Sequence, residues 1–273
     1  MIEGTILLVG CGSMGGALLK GWFARGLNPV DVMIVEPAGR QMVTATSDHP
    51  ALVVLSDAAQ IPTDFAPDVV VFAVKPQVAQ DIIPLYAPMA ESGTVFLSII
   101  AGLPIEKMHR LLGNNAAIVR AMPNTPASIG QGISVLCPGK KVGPSERRAC
   151  QVLMAAGGQT AWIEDEADMD AVTAVSGSGP AYIFLLTETL AIAGVRAGLT
   201  PALAEQLASA TVSGAGALLA HSERSSTELR EIVASPGGTT AAALDVLMLD
   251  QGMQDLMNRA IDAAARRSRE LAG

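Results

Sequence analysis

Residues 5–26 hold a strand-like apolar run, a glycine-rich turn and a helical pattern in immediate succession. The turn, Gly10-Cys11-Gly12-Ser13-Met14-Gly15, matches G-x-G-x-x-G. In that setting each glycine has a physical job: the first permits the tight turn, the second lets backbone N–H groups approach a pyrophosphate, and the third allows close strand–helix packing. The helix N-terminus behind the turn stabilises the phosphate charge. A glycine-rich turn that binds nothing is the plain alternative, and the complete strand-turn-helix context weighs against it.

Further Val- and Ile-rich runs at residues 32–36, 52–55, 69–74, 94–99 and 117–121 are mostly separated by helical or loop segments. Continuous apolar runs of this kind suit strands covered on both faces, and their alternation with helices predicts a doubly wound parallel α/β sheet. Two more runs, 132–137 and 159–163, flank a helix that Pro144 would start and Gly157-Gly158 would stop, and they extend the sheet. After the acidic stretch Glu164-Asp165-Glu166 only helix patterns follow, at 168–175, 180–197, 201–220, 227–233, 240–249 and 253–270. The expected organisation is therefore a dinucleotide-binding Rossmann-type domain over 1–164 and an all-helical domain over 165–273. With 27 glycines and 3% aromatic residues, the helices make a thin core alone, so helices of a second copy are expected to complete it.

Composition narrows the partners. A formal charge of -8, from 18 basic and 26 acidic residues, repels polyphosphate, so nucleic acid is not expected. The three cysteines, Cys11, Cys137 and Cys150, are far apart, show no metal-ligand spacing and suit a reducing compartment; no metal is expected. No export signal is read at the start of the chain. The apolar stretch 181–197 is interrupted by Glu188 and Arg196 and falls short of the roughly 20 apolar residues of a membrane span. It is read as a buried helix of a cytoplasmic protein.

Candidate ligand groups cluster at strand ends and helix starts. Glu36, about twenty residues past the glycine turn, stands where an acidic side chain accepts hydrogen bonds from ribose hydroxyls. A 2′-phosphate would be repelled there unless Arg40 paired with it, so NADH is favoured without excluding NADPH; a solvated strand-end residue is the plain alternative. Val74, Lys75 and Pro76 follow the fourth strand on the ligand-facing edge of an open parallel sheet, as do residues 98–102, including Ala101, and Met122-Pro123-Asn124-Thr125-Pro126. In the second domain, Ser176-Gly177-Ser178-Gly179-Pro180 and Ser235-Pro236-Gly237-Gly238-Thr239-Thr240 each precede a helix and are read as offering free backbone donors to a carboxylate, against the alternative of simple capping. No lysine or asparagine follows Pro180 within two turns, and His49, His109 and His221 lie outside these turns. Alcohol oxidation generally needs such a base; reduction of a C=N bond can proceed with positioning and charge placement.

These motifs together, above all Ala171-Val172-Thr173-Ala174-Val175-Ser176-Gly177-Ser178-Gly179-Pro180-Ala181-Tyr182 and Ser235 to Thr240, resemble pyrroline-5-carboxylate reductase nearly end to end. The resemblance implies NAD(P)H-dependent reduction of 1-pyrroline-5-carboxylate to L-proline, the last step of proline biosynthesis. It also implies a helical domain that interlocks with its partner's, giving homodimers, often decamers, with an active site between domains and across chains. By motif, the substrate carboxylate would meet Gly238, Thr239 and Thr240, with Ser235 in the same turn, and the Thr240 hydroxyl would face the imine nitrogen. Glu166 and Glu223 match acidic positions near the substrate, and Gly10, Cys11, Gly12, Ser13, Met14, Gly15, Glu36, Val74, Lys75, Pro76 and Ala101 the cofactor contacts. Glu36 departs from the small or hydroxyl-bearing residue common in NADPH-preferring relatives. The rival readings are a β-hydroxyacid or 6-phosphogluconate-type dehydrogenase, against which the missing lysine counts, and a non-catalytic dinucleotide sensor, which would leave the two anion-binding turns unexplained.

Overall fold

The computed structural model describes residues 4–44 and 49–273, so the first three residues of the expected 1–164 domain lie outside the described residues. The chain divides into two compact units: residues up to Gly177 together with Ala265–Gly273, and Ser178–Ala264. The first is built on eight strands, β1 (Ile6–Val9), β2 (Val32–Val35), β3 (Val53–Leu55), β4 (Val69–Phe72), β5 (Val95–Ser98), β6 (Ala117–Met122), β7 (Gly132–Pro138) and β8 (Gly158–Trp162), ordered β3-β2-β1-β4-β5-β6-β7-β8. All neighbours pair in parallel except β6 and β7. The order reverses beside β1, which puts the glycine turn at the switch point where ligands of such sheets bind.

Alternate residues of the central strands face opposite sides, and both sides are buried. Ile6, Leu8, Ile34, Val71 and Leu97 pack on one face with helices α1 (Ser13–Ala24) and α5 (Pro144–Met154), where Trp22 is fully buried and its Nε1 donates to the Leu153 carbonyl at 2.9 Å. Leu7, Val9, Val70, Phe72 and Phe96 pack on the other with α3 (Ala79–Ile82) and α4 (Ile105–Leu112). Burial on both faces is why these strands read as unbroken apolar runs. The short α2 (Arg40–Thr44) follows β2, and α6 (Met169–Val172) closes the run of elements before Gly177.

The expected helices appear in the second unit as α7 (Gly179–Arg196), α8 (Pro201–His221), α9 (Ser226–Val233), α10 (Thr239–Leu247) and α11 (Met253–Ala272), the last ending within the first unit. Their limits follow local chemistry. Thr200 caps α8 through its side chain, Ser225 and Glu228 form a reciprocal capping box on α9, and Gly198, at φ +108°, ends α7.

Two readings of this region need correction. The segment Ser176 to Pro180 is not a loop before a helix start: helix runs from Glu166 to Arg196, through a π-helical turn at Thr173–Gly177 and a bend at Ser178. The chain stays helical through a wide turn, and the Ala181 N–H already donates to the Ser178 carbonyl at 3.0 Å. Nor is α7 buried. None of its residues is, and Phe184 and Leu185 stand 67% and 58% exposed. Among the described residues of this unit only Ala204 and Ala208 are buried, so its apolar faces lack a covering within the single chain. The run Glu166–Arg196 is long enough, and apolar enough with a mean hydropathy of 1.3 over 18 residues, to cross a bilayer by length and composition alone, which corrects the expectation drawn from the shorter stretch 181–197.

Candidate active site

The dinucleotide elements all belong to the first unit. Gly10 adopts φ +87°, and a Cβ there would stand 2.9 Å from the Ala73 carbonyl oxygen. A Cβ on Gly15 would lie 2.5 Å from the Gly10 carbonyl oxygen, whereas one on Gly12 meets nothing within 4 Å. Two of the three glycines are thus demanded by packing and the third keeps space open before the helix, which is what a bound pyrophosphate needs. Gly12 caps α1 without a side-chain acceptor, and the first internal bond runs from Gly16 N–H to the Gly12 carbonyl at 2.8 Å. The N–H groups of Ser13, Met14 and Gly15 therefore have no carbonyl a turn earlier to bond, and point their partial positive charge outward.

Glu36 follows β2 and reaches back to this turn. Its Oε2 accepts from the Cys11 N–H at 2.8 Å and its Oε1 from the Ala38 N–H at 3.1 Å. Beside it opens a cavity of about 130 Å³, continuous with solvent, lined among others by Gly10, Pro37, Asp57, Val74, Leu85 and Tyr86. Burial, with Glu36 as a neighbouring charge, pushes the Cys11 thiol up to about 11. It therefore stays neutral at physiological pH and acts as a small apolar side chain. Lys75, Pro76 and Ala101 are exposed, and Val74 half-buried. Lys75 precedes a short 3-10 turn, Pro76–Val78, in extended conformation, three residues beyond the end of β4. The residues present fit a dinucleotide: a donor-rich helix start, an open glycine and a carboxylate beside an apolar slot.

The end of β6 carries a second set of fixed groups. Asn124 Oδ1 accepts from the Ile133 N–H at 3.0 Å, and its Nδ2 donates to the Ser176 carbonyl at 3.1 Å, fastening the Met122 to Pro126 loop to the π-helical turn. Arg120, buried within β6, pairs with Glu166 Oε1 at 2.7 Å, and the same oxygen accepts the Ile105 N–H at 2.9 Å. Glu166 Oε1 is thus engaged by a guanidinium and by the start of α4, which leaves Oε2 for any ligand contact. Arg120, Asp57 and Tyr86 were not singled out in the sequence. Arg120 alone carried a signal, a charge inside an otherwise apolar strand.

In the second unit, Ser235 to Thr240 forms a tight turn into α10. Gly237 takes φ +69°, and the Gly238 N–H folds back onto the Ser235 carbonyl at 3.0 Å. Gly238 is the N-cap, with no side-chain cap, and the first internal bond of α10 runs from Ala242 N–H to the Gly238 carbonyl at 3.2 Å. Thr239, Thr240 and Ala241 are consequently first-turn residues whose N–H groups lack helical acceptors, a geometry that suits a carboxylate. Thr240 is half-buried; Ser235 and Thr239 are exposed, as is Glu223 in the turn between α8 and α9. The histidines are placed apart from these turns in the chain. His49 lies against Phe23 with ring centroids 4.6 Å apart, and Nδ1 of His109 and of His221 faces the Gly113 and Ala217 carbonyls respectively.

Comparison with known proteins gives the family. Residues 166–271 match a family model described as pyrroline-5-carboxylate reductase dimerisation, and residues 5–102 one described as NADP oxidoreductase, coenzyme F420-dependent. The pyrroline-5-carboxylate reductase of Pseudomonas aeruginosa is 37% identical over 267 residues, covering 98% of this chain and 96% of its own. The solved pyrroline-5-carboxylate reductase of Coxiella burnetii superposes with a TM-score of 0.92 at 32% identity, over 99% of both chains. That of Plasmodium falciparum, with NADP bound, gives 0.82 at 29% identity over 100% of both. Identity at this level along nearly the whole length, with the glycine turn and the open start of α10 both in place, makes the chain a member of the pyrroline-5-carboxylate reductase family.

Proposed function

We propose that the chain reduces 1-pyrroline-5-carboxylate to L-proline with the first-turn amides of α10 holding the substrate carboxylate and Thr240 serving the imine nitrogen. The observation that carries this reading is the uncapped start of α10, where no side chain satisfies the donors of Thr239 and Thr240. In that site Ser235 and Gly238 shape the turn, Thr239 and Thr240 bind through their N–H groups, and Glu223 supplies negative charge that favours a protonated ring nitrogen; Glu166 is the other acidic residue that the family resemblance assigns to the substrate. Gly10, Cys11, Gly12, Ser13, Met14 and Gly15 cradle the pyrophosphate, Glu36 takes the ribose, and Val74, Lys75, Pro76 and Ala101 line the path toward the nicotinamide.

Reduced nicotinamide dinucleotide, once bound, supplies the hydride that reaches C5 of the imine. The C=N π pair then becomes the nitrogen lone pair; a ring nitrogen that arrives protonated is thereby the ring amine, and one that arrives neutral takes one proton at this step. The Thr240 hydroxyl is placed in this reading to donate to that nitrogen, relayed from water, and no side-chain base is required. Lys75 balances dinucleotide charge and takes no part in bond making. Functionally the chain divides at 164/165, with the segment from Asp165 onward serving substrate binding and dimerisation.

The working form in this reading is a homodimer, with a decamer as the larger assembly that the family resemblance implies, in the cytoplasm, away from membrane and nucleic acid. Mixing the protein with NADH or NADPH and 1-pyrroline-5-carboxylate, and following absorbance at 340 nm, tests the reading. Substrate-dependent loss of absorbance with proline accumulating is the expected result; oxidation of a β-hydroxyacid instead would favour the dehydrogenase alternative, and dinucleotide binding without turnover the sensor.

A further inference from the structure

The turn after β2 carries one anion and one cation near the ribose position, and both are already engaged. Glu36 spans the gap between two backbone donors, Cys11 N–H at 2.8 Å and Ala38 N–H at 3.1 Å, one on each carboxylate oxygen. These bonds hold the carboxylate at the mouth of the glycine turn while leaving each oxygen a further lone pair, enough to accept two ribose hydroxyls. Arg40 is turned away to other work. Its Nη1 donates to the Leu52 carbonyl at 3.0 Å, and its Nη2 to the carbonyls of His49 and Pro50 at 3.0 and 3.3 Å, tying the turn to the chain that enters β3. Between Glu36 and Ser56 the sequence holds no other Lys or Arg, and the His49 ring rests on Phe23.

A second anion lines the slot that opens beside Glu36. Asp57 lines the cavity with Tyr86, and its Oδ1 accepts the Ala59 N–H at 2.8 Å. The Tyr86 phenol is pushed upward by burial and then by the Asp57 charge, which marks the two as close neighbours. An extra phosphate on the adenosine ribose would enter a region of negative charge, and the Arg40 guanidinium would have to release carbonyls to meet it.

We propose that this chain selects NADH over NADPH, with Glu36 as the specificity-determining residue and Arg40 as a fastener of the β2–β3 connection. The proposal rests on the reading of the Gly10 to Gly15 turn as the dinucleotide site of a reductase. Calorimetric titration of the full-length protein with each reduced dinucleotide reads it without turnover. The expected Kd for NADH is lower by about tenfold or more, since like charges a few ångströms apart repel appreciably even near solvent. Equal affinities, tighter NADPH binding or binding of neither overturns the proposal. Glu36→Gln keeps the size of the side chain while removing its charge, and is expected to shrink the NADH-to-NADPH ratio by about fivefold or more, within the range of one surface charge contact. Arg40→Ala is expected to leave that ratio unchanged; a loss confined to NADPH affinity would make Arg40 a phosphate ligand and contradict the assignment. Initial rates with 1-pyrroline-5-carboxylate separate the two readings: tighter NADH binding without turnover of this imine sinks the reductase assignment and leaves the selectivity standing.

Discussion

Thr240 is the second residue of α10, so its backbone N–H and its hydroxyl lie on the same uncapped turn. Replacement by Ala keeps the amide and removes the hydroxyl. The expected result is a fall in kcat of about 10- to 1,000-fold with a smaller change in substrate KM, the range for one positioned donor with a modest acid role. Equal kcat values for the two proteins would remove the hydroxyl from the chemistry. Lys75→Ala acts elsewhere: an exposed cation that binds without reacting should mainly raise the cofactor KM, with kcat nearly constant in steady-state rates. The cysteines give a pH prediction. Burial, aided by Glu36 at Cys11 and by Glu166 at Cys137, raises both thiols from 9.0 to about 11. A folded-state value above the unfolded one gives stability that is complete below pH 9 and disappears as pH rises through about 11. Thermal melts across that window should show Tm falling, and Cys137→Ala should flatten part of the fall.

Elements show why much of the architecture was readable before any coordinates. Strands β1, β4 and β5 are covered on both sides, so each wrote itself as a short unbroken apolar run, and the glycine turn announced the junction of β1 with α1. Gly15→Ala tests that junction: its Cβ would stand 2.5 Å from the Gly10 carbonyl oxygen, so the strand and helix must part. Overpacking of this kind costs about 1–3 kcal/mol and lowers Tm by about 2–12 °C for a domain of this size. Dinucleotide affinity should fall with it, because the turn we propose as the pyrophosphate cradle is displaced; calorimetry and a melt on the same sample read both. The π-helical turn at Thr173–Gly177 was not legible. Ser and Gly beside Pro180 ordinarily mark a loop, and only the Asn124 side chain, bonded to the Ser176 carbonyl and the Ile133 N–H, shows the segment fastened as a wide helical turn.

At the scale of the whole molecule, the exposed apolar residues of α7 stand against a unit with two buried alanines. A segment with so little core of its own is expected to gain stability by covering these faces with another copy, in keeping with the dimerisation model that matches residues 166–271. Light scattering should therefore give a mass of at least twice 28.0 kDa at micromolar concentration. Phe184→Glu, which sets a charge on a side chain now 67% exposed, should shift the mass toward one chain and reduce activity in parallel. What sequence alone determined was everything governed by neighbours in the chain: the strand runs, the glycine turn, the helix patterns that follow residue 166, and the family through its motifs. What tertiary structure alone decided was how charges are spent across long separations. Glu36 reaches Cys11, Arg120 reaches Glu166, and Arg40 turns to the carbonyls before β3, because hydrogen-bond partners are chosen by which strands lie side by side, and no local pattern encodes that adjacency.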